Sequence, residues 1–298
     1  MEDQQKAPGL GVPGHRRAAL SFRLLAVDID GTLVDAKGTV HGEDREAIAA
    51  LAVRGIPTTI VTGRLFSGTR TIAAEVGATG AVACVDGCHL VEAASGREFH
   101  HGSLAGVCAA QVRELLVRRG VATFAFARDR ILYDDRGAPY IPYVRTWSLD
   151  QVWTERVTNH PHWEDERGVT ALVCVGVEHE IKTLENELQS TLGSLVYAVA
   201  FPVRRLESES GWGMVIRAAG YSKGTALVWL AQHYGVLPEE VVAVGDWYND
   251  VPMFEAAGRS FAMRQAPHVV KEAATDQLDA DSQTGGGIAE AARKAGLL

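Results

Sequence analysis

The chain has 298 residues, 47% hydrophobic and 22% charged, an ordinary globular balance with enough apolar mass for a sizeable core. Its formal net charge of −8 argues against a sequence-independent grip on nucleic-acid phosphates, so any phosphate it handles must meet a metal ion or a few placed lysines and arginines. No apolar run reaches membrane-spanning length. The four cysteines (Cys84, Cys88, Cys108 and Cys174) form no CxxC pair, which reads as free thiols in a reducing cytoplasm rather than a zinc knuckle or disulfide scaffold.

Residues 1–21 are polar and rich in Gly and Pro and read as a disordered N-terminal tail. From Leu24 a short apolar strand leads to the turn at Gly31-Thr32. Residues 42–54 have helical spacing and stop at Gly55; residues 57–61 form a second strand closing in Thr62-Gly63-Arg64. A helix over 66–76 and a strand over 82–85 follow. This alternation predicts the α/β class, a doubly wound parallel sheet. After Asp86-Gly87 the pattern changes. Helices are expected over 103–119 and 179–192, among strands at 121–127, 131–134, 171–177 and 195–201, an α+β mixture. The first pattern returns with a helix over 223–235 behind the N-cap Ser222, a strand over 241–244 ending in Gly245-Asp246, a short helix near 250–257, a strand over 260–263 and a helix near 287–295. The expected division is a core of 22–87 and 212–298, with an inserted domain of 88–211.

Four pieces carry chemistry, each at an expected strand end or helix start, where open α/β sheets bind ligands. In Asp28-Ile29-Asp30-Gly31-Thr32 two carboxylates share one strand face. Their repulsion is relieved by a hard cation such as Mg2+, and one carboxylate can attack phosphorus while the other moves protons. Thr62-Gly63-Arg64 offers a hydroxyl and amides to a phosphoryl oxygen. Lys223 can neutralise an attacking carboxylate and a transferring phosphoryl group. Gly245-Asp246-Trp247-Tyr248-Asn249-Asp250 adds oxygen ligands for the cation. Read singly, each piece is also compatible with an ordinary acidic turn, strand-to-helix turn or surface lysine.

Taken in order, DIDGTL at Asp28, TGR at Thr62, SKG at Lys223 and GDxxND at Asp246 resemble the haloacid dehalogenase superfamily. The long segment between the second and third motifs resembles its Cof-type branch with a C2 cap. The resemblance implies a Mg2+-dependent phosphatase of small phosphate esters, sugar phosphates foremost, with Asp28 as nucleophile, Asp30 as acid and base, and Lys223 as charge stabiliser. It further implies phosphate binding at Thr62, Gly63 and Arg64, and metal binding by Asp28, the Asp30 carbonyl and Asp246, with Asp250 in the same metal group and Asn249 orienting the site and its phosphate. A phosphotransferase or phosphomutase on the same scaffold, or a non-catalytic binding protein, are the alternatives; the second predicts loss of a core group, and Asp28, Asp30, Lys223 and Asp246 are all present.

Three departures from that branch bear on specificity. Asp86-Gly87 stands where Asn-Gly is usual, Trp247 and Tyr248 are bulky, and Arg264-Gln265-Ala266 replaces Gly-Asn-Ala. The pairs His100-His101 and His160/His162 match no ligand spacing and read as surface or loop histidines. Trp147, Trp153 and Trp163 read as packing in the inserted domain rather than as a sugar-binding face.

Overall fold

A computed structural model describes residues 21–165, 167–203 and 211–298; the expected tail up to residue 20 lies outside the described residues. The chain opens with β1 (Leu24–Val27), α1 (Gly42–Val53), β2 (Thr58–Ile60), α2 (Phe66–Glu75), β3 (Ala81–Cys84) and the hairpin β4 (His89–Glu92) and β5 (Glu98–His101). A second stretch runs through α3 (Gly106–Arg119), β6 (Ala122–Ala127), β7 (Arg130–Tyr133), α4 (Ile141–Val144), β8 (Gln151–Trp153), β9 (Ala171–Val177), α5 (Glu178–Leu192), β10 (Val196–Pro202) and β11 (Gly211–Ala218). The chain then returns through α6 (Lys223–His233), β12 (Val241–Gly245), α7 (Val251–Ala256), β13 (Arg259–Ala262), α8 (His268–Ala273), β14 (Asp276–Gln277) and α9 (Gly287–Lys294).

The first and last stretches share a parallel sheet in the order β14-β13-β12-β1-β2. Its central strands β1 and β12 are apolar and buried throughout because both faces are covered. Along β1, Leu25 and Val27 enter one buried cluster and Leu24 and Ala26 the other, as the two-residue strand repeat requires. The first cluster contains Ile48 and Leu51 of α1 and Ile288 of α9; the second contains Leu227 and Leu230 of α6 and Val270 of α8. β3 extends this sheet through the single parallel bridge Val61–Ala83, and carries the β4–β5 hairpin on its outer edge.

The middle stretch makes a separate six-stranded sheet, β10-β11-β9-β6-β7-β8, antiparallel except for the β7–β8 pair. α3 and α5 pack on one of its faces. The spacing Ile181, Leu184, Leu188, Leu192 gives α5 one apolar stripe, which meets Leu172, Cys174 and Met214. The opposite face, with Phe126 and Val173, turns towards the parallel sheet.

Two elements differ from expectation at the joins. β11 is the second strand of the antiparallel sheet, so that sheet runs to Ala218 and the join read at 211/212 falls at the strand's first residue. The segment GWGMVIRA hides its two-residue repeat behind two glycines and a tryptophan. At the other join, β4 and β5 pair with β3, so residues 89–101 belong to the edge of the core side. Their composition, with histidines at His89, His100 and His101, carries little strand signal.

Candidate active site

Asp28 follows β1 directly, and its amide donates to the Val244 carbonyl of β12 at 3.0 Å, which fixes it at the carboxyl edge of the parallel sheet. Its side chain is buried, and Oδ1 accepts from Lys223 Nζ at 2.6 Å. Lys223 begins α6 behind a capping box, in which the Ser222 hydroxyl accepts from the Thr225 amide. The same ammonium donates to Asp250 Oδ1 at 2.6 Å. Asp250 Oδ2 accepts from the backbone amides of Asp246 and Trp247, at 2.9 Å each. Both Asp250 oxygens are thus used inside the protein.

Asp246 follows β12, as Asp28 follows β1. Its Oδ1 accepts from Thr32 Oγ1 at 3.4 Å and its Oδ2 from Gln265 Nε2 at 3.3 Å. The same Gln265 amide donates to the Gly31 carbonyl at 2.5 Å. Gly31 has φ +85°, and a Cβ there would stand 2.5 Å from Asp246 Oδ2, so the turn between the two acidic strand ends admits only glycine. Gln265 is a site residue that sequence reading did not select. Its position in the third departure, where an asparagine is usual, was the available signal.

Oxygen atoms of Asp28, Asp246 and Asp250 lie within 4.8 Å of one another, all buried. Burial holds the Asp28 pKa well above the usual carboxylate range; Lys223 works against this, while Asp250, Asp246 and Asp30 push it further up. Burial works against the Lys223 charge too, but Asp250 and Asp28 outweigh it, and its pKa is raised. One ammonium among three buried carboxylates leaves an excess of negative charge. An oxygen-ligated divalent cation meets that excess, so the donor set fits a metal ion.

Arg64, expected among the phosphate-binding groups, lines the cavity and pairs with Asp30. Its Nε and Nη2 grip the Asp30 carboxylate at 2.7 and 2.6 Å, and Nη1 donates to the Gly68 carbonyl at 3.2 Å. A bidentate carboxylate fork is the geometry guanidinium prefers. Thr62 is buried at the cavity edge and its Oγ1 accepts from the Arg64 amide at 3.2 Å. Gly63 lies beside Asp86 and Asn249, and the Asn249 amide donates to Asp86 Oδ1 at 2.9 Å. Asp86 itself has φ +51°, a left-handed turn position in which Asp and Asn are enriched.

These groups floor a cavity of about 660 Å³ between the two sheets. Its far wall comes from the antiparallel sheet and adjoining loops, with Phe126, Tyr143, Trp147, Phe201 and Trp212 among the lining residues. The three singled-out tryptophans divide: Trp163 is buried in the α3/α5 core, Trp153 is exposed, and Trp147 lines the cavity. The histidines find protein partners: His100 meets the Tyr221 hydroxyl at 3.0 Å, His101 meets Thr170 Oγ1 at 2.8 Å, and His160 Nδ1 accepts from the His162 amide at 3.3 Å. No helix among the described residues is long and apolar enough to cross a membrane.

Known proteins resemble this chain over most of its length. A family model described as haloacid dehalogenase-like hydrolase matches residues 25–291. A phosphoglycolate phosphatase of Archaeoglobus fulgidus is 26% identical over 276 residues, covering 93% of this chain and 98% of that protein. A phosphoglycolate phosphatase of Methanoculleus marisnigri is 42% identical over 93 residues, 31% of this chain and 38% of that protein. Among solved structures, a haloacid dehalogenase-like hydrolase from Bacteroides thetaiotaomicron superposes with a TM-score of 0.76 at 21% identity, covering 92% of this chain and all of the other.

Proposed function

The chain belongs to the haloacid dehalogenase-like hydrolases and is a phosphatase of that family, and from this premise we propose that it hydrolyses small phosphorylated metabolites, sugar phosphates foremost, with Mg2+ and through a phospho-aspartyl intermediate on Asp28. The observation that carries the reading is the buried Asp28 carboxylate, held by Lys223 at 2.6 Å beside Asp246 and Asp250.

Asp28, the Asp30 carbonyl and Asp246 would hold Mg2+. When bound, the ion neutralises the clustered carboxylates, keeps Asp28 ionised and draws charge from the phosphoryl oxygens. Asp250 supports the site, since its oxygens hold Lys223 and the Asp246 loop. Asp28 attacks phosphorus as the bond to the leaving oxygen breaks, and Lys223 offsets the charge that both carry. Asp30 gives its proton to the leaving oxygen, then takes one from the water that attacks phosphorus, which frees Asp28 and releases phosphate. In this scheme the Arg64 fork positions the Asp30 carboxylate and must loosen as Asp30 takes its proton. Thr62, Gly63 and Asn249 flank the phosphoryl group. The antiparallel unit serves as a cap whose wall meets the leaving group and keeps bulk water out.

The test is phosphate release from 4-nitrophenyl phosphate, with and without Mg2+, by wild type and Asp28→Asn. Mg2+-dependent release by wild type alone is expected. Appreciable turnover by Asp28→Asn in a clean preparation would sink the covalent mechanism.

A further inference from the structure

Arg217 heads the fully buried side chains by volume among the described residues, at 2% exposure. It lies near the end of β11 and lines the cavity from the cap side. Its guanidinium is stacked on the Tyr197 ring, Cζ 3.6 Å from the centroid, and Nε donates to the Tyr221 carbonyl at 3.3 Å. The counter-charge is Asp86, across the join between the two sheets, but Nη1 and Oδ2 stand 3.8 Å apart. That is an ion pair without a hydrogen bond, and Nη1 has no hydrogen-bond partner among the described residues.

A buried donor left unmade costs about 1–3 kcal/mol, more for a charged group, and buried polar groups are rarely left so without a reason. The surroundings narrow that reason. The wall is otherwise mostly apolar, aromatic and aliphatic side chains together, and in such pockets a few polar groups fix the ligand's orientation. The other cap cation lining the cavity among the described residues, Lys182, is spoken for: it donates to Glu185 at 3.0 Å and its Nζ lies over the Trp212 ring. Arg217 already faces a carboxylate, so it lacks a hydrogen-bond acceptor and not a counter-charge.

We propose that Arg217 selects the leaving group by requiring an uncharged acceptor oxygen, a carbonyl or a hydroxyl, to complete its guanidinium. This rests on the phosphatase reading above. Arg217 lines the cavity, so an acceptor oxygen of a bound ester can complete the guanidinium from that side while the Tyr197 stack is kept. Esters without such an oxygen leave the guanidinium unsatisfied and are turned over less well.

The test compares kcat/KM for the three isomers of acetylphenyl phosphate with kcat/KM for the matching ethylphenyl phosphates, in wild type and in Arg217→Lys. Taking the acetyl-to-ethyl ratio in wild type over that in the variant cancels differences in leaving-group acidity. For at least one isomer this quotient is expected to reach about tenfold or more. Arg217→Lys keeps the charge opposite Asp86 but loses the fork. A second variant, Arg217→Met with Asp86→Asn, removes both buried charges together and so avoids an unpaired carboxylate; it is expected to give the same loss of preference. Quotients within about twofold of unity for every isomer in both variants overturn the proposal, as does an equal fall for acetyl and ethyl esters, which marks Arg217 as structural. If wild type releases phosphate from none of the esters, the phosphatase reading itself falls, and this inference with it.

Discussion

Lys223 and Asp28 stand 195 positions apart in the chain, yet the ammonium of one donates to the carboxylate of the other at 2.6 Å with both side chains buried. A second carboxylate, Asp250, shares the ammonium. Such a buried cation cannot be removed without leaving uncompensated charge. Lys223→Met is therefore expected to lose about 3–5 kcal/mol of stability in denaturant titrations, together with about a hundredfold or more of turnover. Added Mg2+ should recover part of the lost stability by supplying the missing positive charge. A variant as stable as wild type would show that the carboxylates take up protons at no cost.

Asp246 and Gln265 form the second test. Asp246→Ala removes a proposed metal ligand, and a calorimetric Mg2+ titration is expected to show binding reduced beyond the measurable range. Gln265→Ala leaves the ligand in place but frees its Oδ2 and the Gly31 carbonyl from their shared donor. A loss of about tenfold in Mg2+ affinity is expected, the scale of a supporting hydrogen bond. An unchanged titration for Asp246→Ala would remove it from the ligand set.

Gly68 lies in α2, where alanine ordinarily stabilises a helix by about 0.5–1 kcal/mol. Here a Cβ would stand 2.6 Å from the Trp147 carbonyl oxygen, which is backbone and cannot swing aside. The clash decides the sign. Gly68→Ala should lower the melting temperature and, by displacing the loop that carries Trp147, raise KM for ring-bearing esters more than it lowers kcat. A higher melting temperature would mean the loop yields freely.

His89 supplies the pH prediction. Burial, then the neighbouring His101 charge, pushes its pKa down to about 4 from 6.5, against the pull of Glu98. The unfolded chain therefore binds this proton more readily than the folded one. The stability contribution is complete above pH 6.5 and is lost as pH falls towards about 4. The loss is on the order of 3 kcal/mol at the acid end. His89→Gln should flatten the melting temperature between those pH values relative to wild type; parallel curves would show that the imidazole is protonated without strain.

That Asp28, Asp30 and Asp246 stand at strand edges and Lys223 at a helix start was legible because those signals are local. An apolar run ending in an acidic turn marks a strand edge, and a serine before a lysine marks a helix start. Backbone propensity and the covering of both sheet faces then bring those edges together, as the β1–β12 register does for Asp28 and Asp246. The two-layer pattern of the core was readable for the same reason.

What the tertiary structure alone decided are the partnerships between residues whose neighbours in sequence say nothing of them. Arg64 grips Asp30, Gln265 reaches the Gly31 carbonyl across 234 positions, and Arg217 comes to face Asp86 across the join of two sheets. β11 likewise becomes a strand through its pairing with β9 and β10 rather than through its own pattern. Periodicity records which face of an element is buried. It does not record which polar groups meet once the faces dock, because that depends on the packing of elements far apart in the chain.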